Sequence, residues 1–256
     1  ASQLSEGQRL SVHLALDTGM SRIGFKDPQK LKAAVDFLHE NQDKFDFAGI
    51  FTHFATADSA KTDYYQFQLA NFKRLASVVN PLPRYVHVAN SAASLWHKDC
   101  GGNVVRFGIS MYGLNPSGTE LTLPFKFKPA LSLVSELVSV RKISAGQSVG
   151  YGKTYTAQKN EWIGTVPIGY ADGWLRRMQG FHVLVKGQFC QIVGRVCMDQ
   201  IMIRLPQKLA VGTKVTLIGK DGTAEITAQA VADYAQTIHY EILCCLSERV
   251  VREYLN

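Results

Sequence analysis

Between residues 11 and 117 short apolar runs alternate with longer amphipathic stretches. Residues 12–16, 47–51, 85–88 and 104–107 carry the β-branched and aromatic side chains of strands. Between them, residues 28–41 place Leu31, Val35, Leu38 and His39 at helical spacing, and residues 64–79 do so with Phe67, Leu69, Phe72, Leu75 and Val79. Strand and helix in alternation predict parallel βα units. A closed barrel takes eight such units in about 250 residues. Four are legible here, which fits either an open α/β sheet or a barrel of which part is absent.

The texture changes after Pro116-Ser117-Gly118. Residues 131–140, 163–168, 181–185, 189–196, 201–205 and 214–218 read as strands, with turn signals such as Lys220-Asp221-Gly222 between them. One short helix is expected over residues 227–236, with Thr227 as its N-cap. The pattern predicts an α/β domain over residues 1–120 and a mainly β domain over residues 121–256.

Composition narrows the classes. With 46% hydrophobic residues in 256 the chain can bury a substantial core, and no apolar run approaches the roughly 20 residues of a membrane span. The polar stretch over residues 1–8 does not read as a signal peptide. The five cysteines are odd in number and lack zinc-type spacing, so free thiols in the cytoplasm and no metal site are expected. The net charge of +7 is dispersed, without the basic run of a nucleic-acid binder. A small anionic ligand or an ordinary solvated surface fits it better.

Each of the first four strands runs into polar or glycine-rich chemistry, at the end where α/β folds place ligands. Asp17 to Gly24 (DTGMSRIG) carries Arg22, which can hold a carboxylate or phenolate; a surface arginine on a strand-to-helix turn is the equal alternative. His53 can stack on a flat cofactor, relay a proton, or sit hydrogen-bonded in the core. Ser91 can cap the following helix, offer a hydroxyl to a phosphate, or both. Gly108, after Arg106-Phe107, lets backbone amides approach an anion. Together the four sketch an anion-binding mouth. Further on, Tyr151 and Tyr170 are each flanked by glycine, which holds a phenol away from a sheet where it can act as a base if its pKa is lowered.

With these motifs in hand the chain resembles the alanine racemase family of fold-type III pyridoxal-phosphate enzymes. The resemblance rests on DTGMSRIG (17–24), THFATAD (52–58), ANSAA (89–93), VRFGISMYG (105–113), VGYG (149–152), PIGYADG (167–173), GRVCMDQ (194–200) and YEILC (240–244), in the family's order. It implies the C-terminal half of a (β/α)₈ barrel followed by a mainly β domain, and a homodimer with an active site at each interface. It also implies interconversion of L- and D-alanine, supplying D-alanine for peptidoglycan. Serine or another small amino acid as substrate, or an inactive assembly module, are the alternatives. Ser91, the amides of Gly108 and Ile109, and Tyr240 would hold the cofactor phosphate, His53 would lie against the pyridine ring, and Arg106 would face its nitrogen. Arg22 would contact the cofactor's phenolic oxygen and the substrate carboxylate. Tyr151, Met198 and Asp199 would enter from the partner subunit, and Tyr170, Arg176 and Arg195 would line the entrance. Tyr151 would be the base for L-alanine, its pKa lowered from about 10 by the positive charge of the His53 and Arg106 pair.

Two departures stand out. The family's other base, the lysine that binds the cofactor covalently, sits in a K-x-N-A-Y-G-H-G-like motif that this sequence lacks. The expectation is a missing N-terminal racemase segment and no turnover by this chain alone. At Ala15 many relatives carry a carbamylated lysine, and a small anion such as chloride would take its place beside Arg22.

Overall fold

The computed structural model describes residues 4, 5 and 7–255, so the polar stretch over residues 1–8 lies partly outside the described residues. The chain forms two compact units, residues 1–128 and 129–256.

In the first unit four parallel strands pair in sequential order: β1 (Leu10–Ala15), β2 (Phe45–Phe51), β3 (Tyr85–Ala89) and β4 (Val104–Val105). Between them run α1 (Pro28–Glu40), α2 (Asp63–Ala76) and α3 (Ser91–Trp96). α1 starts at an Asp27 N-cap that accepts from the Gln29 and Lys30 amides, with Pro28 in the first turn. Leu31, Val35, Tyr65, Leu69, Phe72 and Leu75 of the helices bury against Ile50, Val86 and Val88 of the strands and Leu16 just past β1. One face of the sheet is thus the core. The other carries His13, Phe51 and His87, whose rings approach one another.

The second unit is mainly β. A five-stranded antiparallel sheet centres on β13 (Lys214–Asp221), which pairs with β5 (Leu133–Glu136), β10 (His182–Val185) and β14 (Ala224–Ile226), while β10 also pairs with β11 (Gln188–Gln191). β6 (Ser139–Ile143), β9 (Glu161–Val166) and β12 (Ile201–Leu205) form a second sheet, and β7 (Ser148–Val149) pairs with β8 (Tyr155–Thr156).

Several expectations need correction. The apolar run over residues 131–140 is two strands, β5 and β6, belonging to different sheets. The run over residues 189–196 leaves β11 after Gln191, where Ile192 bridges to Ile203 and the Val193 amide donates to the Met202 carbonyl before the chain turns at Gly194 with φ +71°. Helix α4 (Ala228–Tyr234) has the expected Thr227 cap, but a second helix, α5 (His239–Cys245), follows it and carries Tyr240. Ser91 does not cap α3. Asn90 does, its side chain accepting from the Ala93 amide, and this frees the Ser91 hydroxyl for another partner.

One residue of α2 ties the loops after β1 and β2 together. Gln68 is 0% exposed. Its side-chain oxygen accepts from the Ala55 amide at 2.8 Å, and its amide nitrogen donates to the His53 carbonyl at 3.0 Å and the Thr18 hydroxyl at 3.3 Å. Asn71 and Tyr64 of the same helix donate to the Thr18 and Gly19 carbonyls. Gln68→Leu keeps the volume but leaves buried donors and acceptors unpaired. It is expected to lower the unfolding free energy by about 2–4 kcal/mol in urea denaturation, whereas a change below about 0.5 kcal/mol would contradict the assigned role.

Candidate active site

The loops that follow β1, β2 and β4 meet around a cavity of about 140 Å³ whose lining includes Ala15, Met20, Arg22, Phe51, His53 and Arg106. Asp17 shapes the first loop from within: its buried carboxylate accepts from the Gly19 and Ser21 amides and faces the Lys26 ammonium at 3.4 Å. Burial opposes ionisation of Asp17, but the two amides and Lys26 outweigh it and hold the carboxyl below its ordinary range. Arg22 sits on the outer side of this loop, and among the described residues no carboxylate pairs with it.

Arg106 is the hub. Nη1 donates to the His87 carbonyl at 2.6 Å and to His87 Nδ1 at 2.8 Å, while Nη2 donates to the Thr52 carbonyl at 2.7 Å and to His53 Nδ1 at 3.1 Å. Because guanidinium has donors only, both imidazoles must accept through Nδ1, and each neutral ring therefore carries its proton on Nε2. The Phe51 ring lies 5.7 Å from the guanidinium carbon and stacks on His87 at 5.0 Å. All four terminal N–H groups of Arg106 are engaged, which leaves Nε–H as the donor still to be placed.

The charge of the cluster rests on arginine. His53 is pulled below its ordinary value first by burial and then by Arg106 and Arg22. His87 falls to about 4, through burial, Arg106 and His13. The expectation that His53 shares the positive charge is therefore corrected: a half-buried imidazole beside two guanidiniums stays neutral at neutral pH, and Arg106 alone is the cation of the pair.

Ser91, Gly108 and Ile109 come together as expected. The Ser91 hydroxyl is buried and accepts from the Gly108 amide at 2.8 Å, which leaves its own hydrogen to donate. Ile109 opens the short 3₁₀ turn Ile109–Tyr112, within which the buried Ser110 hydroxyl has no partner among the described residues. Tyr240 lies on α5 in the other unit, its ring 4.9 Å from that of His239.

The second unit assembles its own group. Tyr151 is 70% exposed, in a 3₁₀ turn between Gly150 (φ +73°) and Gly152 (φ +70°), conformations that only glycine adopts without strain. The Arg195 guanidinium lies where a Gly152 side chain would begin, 3.1 Å from that position. The turn at residues 169–173 is tied to residues 197 and 198, since Tyr170 donates its amide to the Cys197 carbonyl and Ala171 to that of Met198. A side chain at Gly169 would overlap those same carbonyls. Arg249 clips the pair of loops, 3.4 Å from Asp172 and 2.7 Å from Asp199. Arg176 stands on a separate 3₁₀ turn, Arg176–Met178. The sequence pattern does not single out His13, His87, Gln68 or Arg249: His13 and His87 meet across 74 positions, Arg249 reaches Asp199 across 50, and Gln68 sits on an unremarkable helix face.

Protonating His87 would remove the acceptor for Arg106 and place a second cation against it. Its ring is expected to stay neutral from pH 8 down to about pH 5 and to titrate at about 4. Since the folded value lies below the unfolded 6.5, this group makes the protein less stable as pH falls from 6.5 toward 4. NMR titration of the His87 ring checks this, and a midpoint near 6.5 would contradict it.

Family models confirm where these motifs belong: that of the N-terminal domain of alanine racemase matches residues 1–116 and that of its C-terminal domain residues 130–254. The chain is similar to the alanine racemase of Lactiplantibacillus plantarum, at 62% identity over 96% of this chain and 66% of that protein. It is similar to that of Ligilactobacillus salivarius at 60%, over 97% and 67%. Among solved structures it matches alanine racemase from E. faecalis with a TM-score of 0.95 and 54% identity, covering 99% of this chain and 68% of the other. It also matches a histidine racemase from Leuconostoc mesenteroides with a TM-score of 0.91 and 38% identity, covering 97% and 67%. The chain spans about two thirds of the length of the curated relatives it matches. Two domain models in consecutive order and these identities place the chain in the alanine racemase family.

Proposed function

We propose that this chain contributes most of the active site of a pyridoxal-phosphate-dependent isomerase interconverting L- and D-alanine. The observation that carries the proposal is the Arg106 hub, a cation with all its terminal donors fixed and a neutral imidazole on each side. The cofactor, when bound, supplies the electron sink that acidifies the substrate α-carbon.

The residues fit that group. The hydrogen of the buried Ser91 hydroxyl, the glycine at 108 and the orphaned Ser110 hydroxyl form a cradle for a phosphate, to which the Ile109 amide adds a donor. Arg106 keeps its Nε–H for a ring nitrogen, and a permanent cation there disfavours protonation of that nitrogen, which favours returning the proton to carbon. His53 would pack against the cofactor. Arg22 would hold the cofactor's phenolic oxygen and the substrate carboxylate, with a small anion such as chloride beside it where Ala15 provides no charge.

In this reading the protein is a cytoplasmic homodimer. Tyr151, Met198 and Asp199 of each subunit serve the other's site, with Tyr170, Arg176 and Arg195 at the entrance. Tyr151 removes the proton from L-alanine. The four parallel strands of residues 1–128 are then one side of a barrel. The base for D-alanine is a lysine outside these 256 residues.

Racemisation followed by circular dichroism tests this in two constructions. The chain by itself is expected to show no turnover. Joined to a segment bearing the family's lysine motif, it is expected to racemise alanine, and Tyr151→Phe should then lower kcat by about 10²–10⁴-fold. Turnover by the chain alone, or full activity of the Tyr151→Phe variant, would overturn the proposal.

A further inference from the structure

The sheet face that bears Arg106 holds one more polar residue than the proposed chemistry uses. His13 on β1 approaches His87 on β3 with Nδ1 2.6 Å from Nε2, across the intervening strand β2. Three features build this contact. A bulge shifts the β1–β2 register between Val12, opposite Phe47, and His13, opposite Gly49, so Ala48 is skipped. Such a bulge re-aims the next side chain. Gly49 then leaves room for the ring, since a Cβ there would lie 2.5 Å from His13 Nδ1. The Tyr85 ring, 5.8 Å away and nearly parallel, flanks it.

The hydrogen bonds of this row have one consistent assignment. Arg106 can only donate, so His87 Nδ1 accepts and His87 Nε2 carries the proton. His87 Nε2 must then donate to His13 Nδ1, which puts the proton of a neutral His13 on its own Nε2. If His13 donated instead, His87 would need its proton on Nδ1, facing the Arg106 N–H at 2.8 Å. Two donors cannot share that distance.

We infer that His13 is a positioning residue: its Nδ1 anchors the His87 ring, and the ring in turn fixes the Arg106 guanidinium. Beside the Arg106 bond to Nδ1, the His87 ring rests on the Phe51 stack, and neither holds its Nε2 edge. His13 closes that freedom through a hydrogen bond. The catalytic consequence rests on the proposed racemase reading, while the hydrogen-bond assignment does not.

Histidine ¹⁵N chemical shifts and the guanidinium N–H resonances of Arg106 test the assignment without any assay of turnover. In the unsubstituted protein at neutral pH, His87 is expected to be protonated on Nε2, with that hydrogen slow to exchange, and the Arg106 Nη hydrogens to be resolved by restricted rotation. His13→Leu should speed exchange of the His87 Nε2 hydrogen and average the Arg106 signals. His13→Asn, whose carbonyl oxygen replaces Nδ1 as acceptor, should restore both. In the racemising construction kcat should fall about tenfold for His13→Leu and recover for His13→Asn, as expected for a group misplaced rather than removed. A His87 ring protonated on Nδ1 in the unsubstituted protein overturns the assignment, even if His13→Leu fails to fold. Unchanged Arg106 resonances in a folded His13→Leu variant overturn the positioning role. Altered resonances with no racemisation in any construction would instead count against the racemase reading alone.

Discussion

A guanidinium gives hydrogen bonds and never receives them, and that asymmetry organises the first unit. Arg106 stands just past β4, and its donors reach a carbonyl and a ring from β3 and a carbonyl and a ring from the loop after β2. Each acceptor is thereby told which way to face. Two carbonyls point inward, and two imidazoles give up their Nδ1 lone pairs and present Nε2–H elsewhere. Half-buried beside a second arginine, such a cation would be costly if these bonds were missing, because among the described residues no carboxylate offsets its desolvation. The sheet, the loops and the histidine tautomers therefore stand or fall together.

The second unit solves a different problem, which is to present exposed groups in a fixed geometry. Tyr151 projects into solvent from a turn with left-handed glycines on both sides, and Arg195 occupies the space a side chain at Gly152 would need. The turn around Tyr170 hangs on the carbonyls of Cys197 and Met198, and Arg249 ties Asp172 of one loop to Asp199 of the other. A tyrosine that exposed has little reason to be so firmly held unless another surface comes to meet it. The homodimer proposed above gives it one.

Much of this was legible from the chain alone. The four strands before residue 117 announce themselves through apolar runs separated by helices, and the residues after each strand are the ones that gather in space. What the pattern could not show is pairing at a distance. Residues 131–140 read as one run, yet the backbone changes sheets within it because β5 finds β13 while β6 finds β9. Ser91 and Asn90 are both good caps by composition, and only the proximity of the Gly108 amide decides between them. Gln68 looks like any polar position on an amphipathic helix until the loops it clips are seen. His13 and His87 each sit in a strand where alternation assigns them a face but not a partner, and a one-residue bulge decides that they meet.

The account turns on Arg106 as the donor that sets its neighbours. The most direct test is the tautomer of His53, read from its two ring ¹⁵N shifts at neutral pH. The account predicts an unprotonated Nδ1 facing Arg106 and a protonated Nε2. A proton on Nδ1 would contradict it.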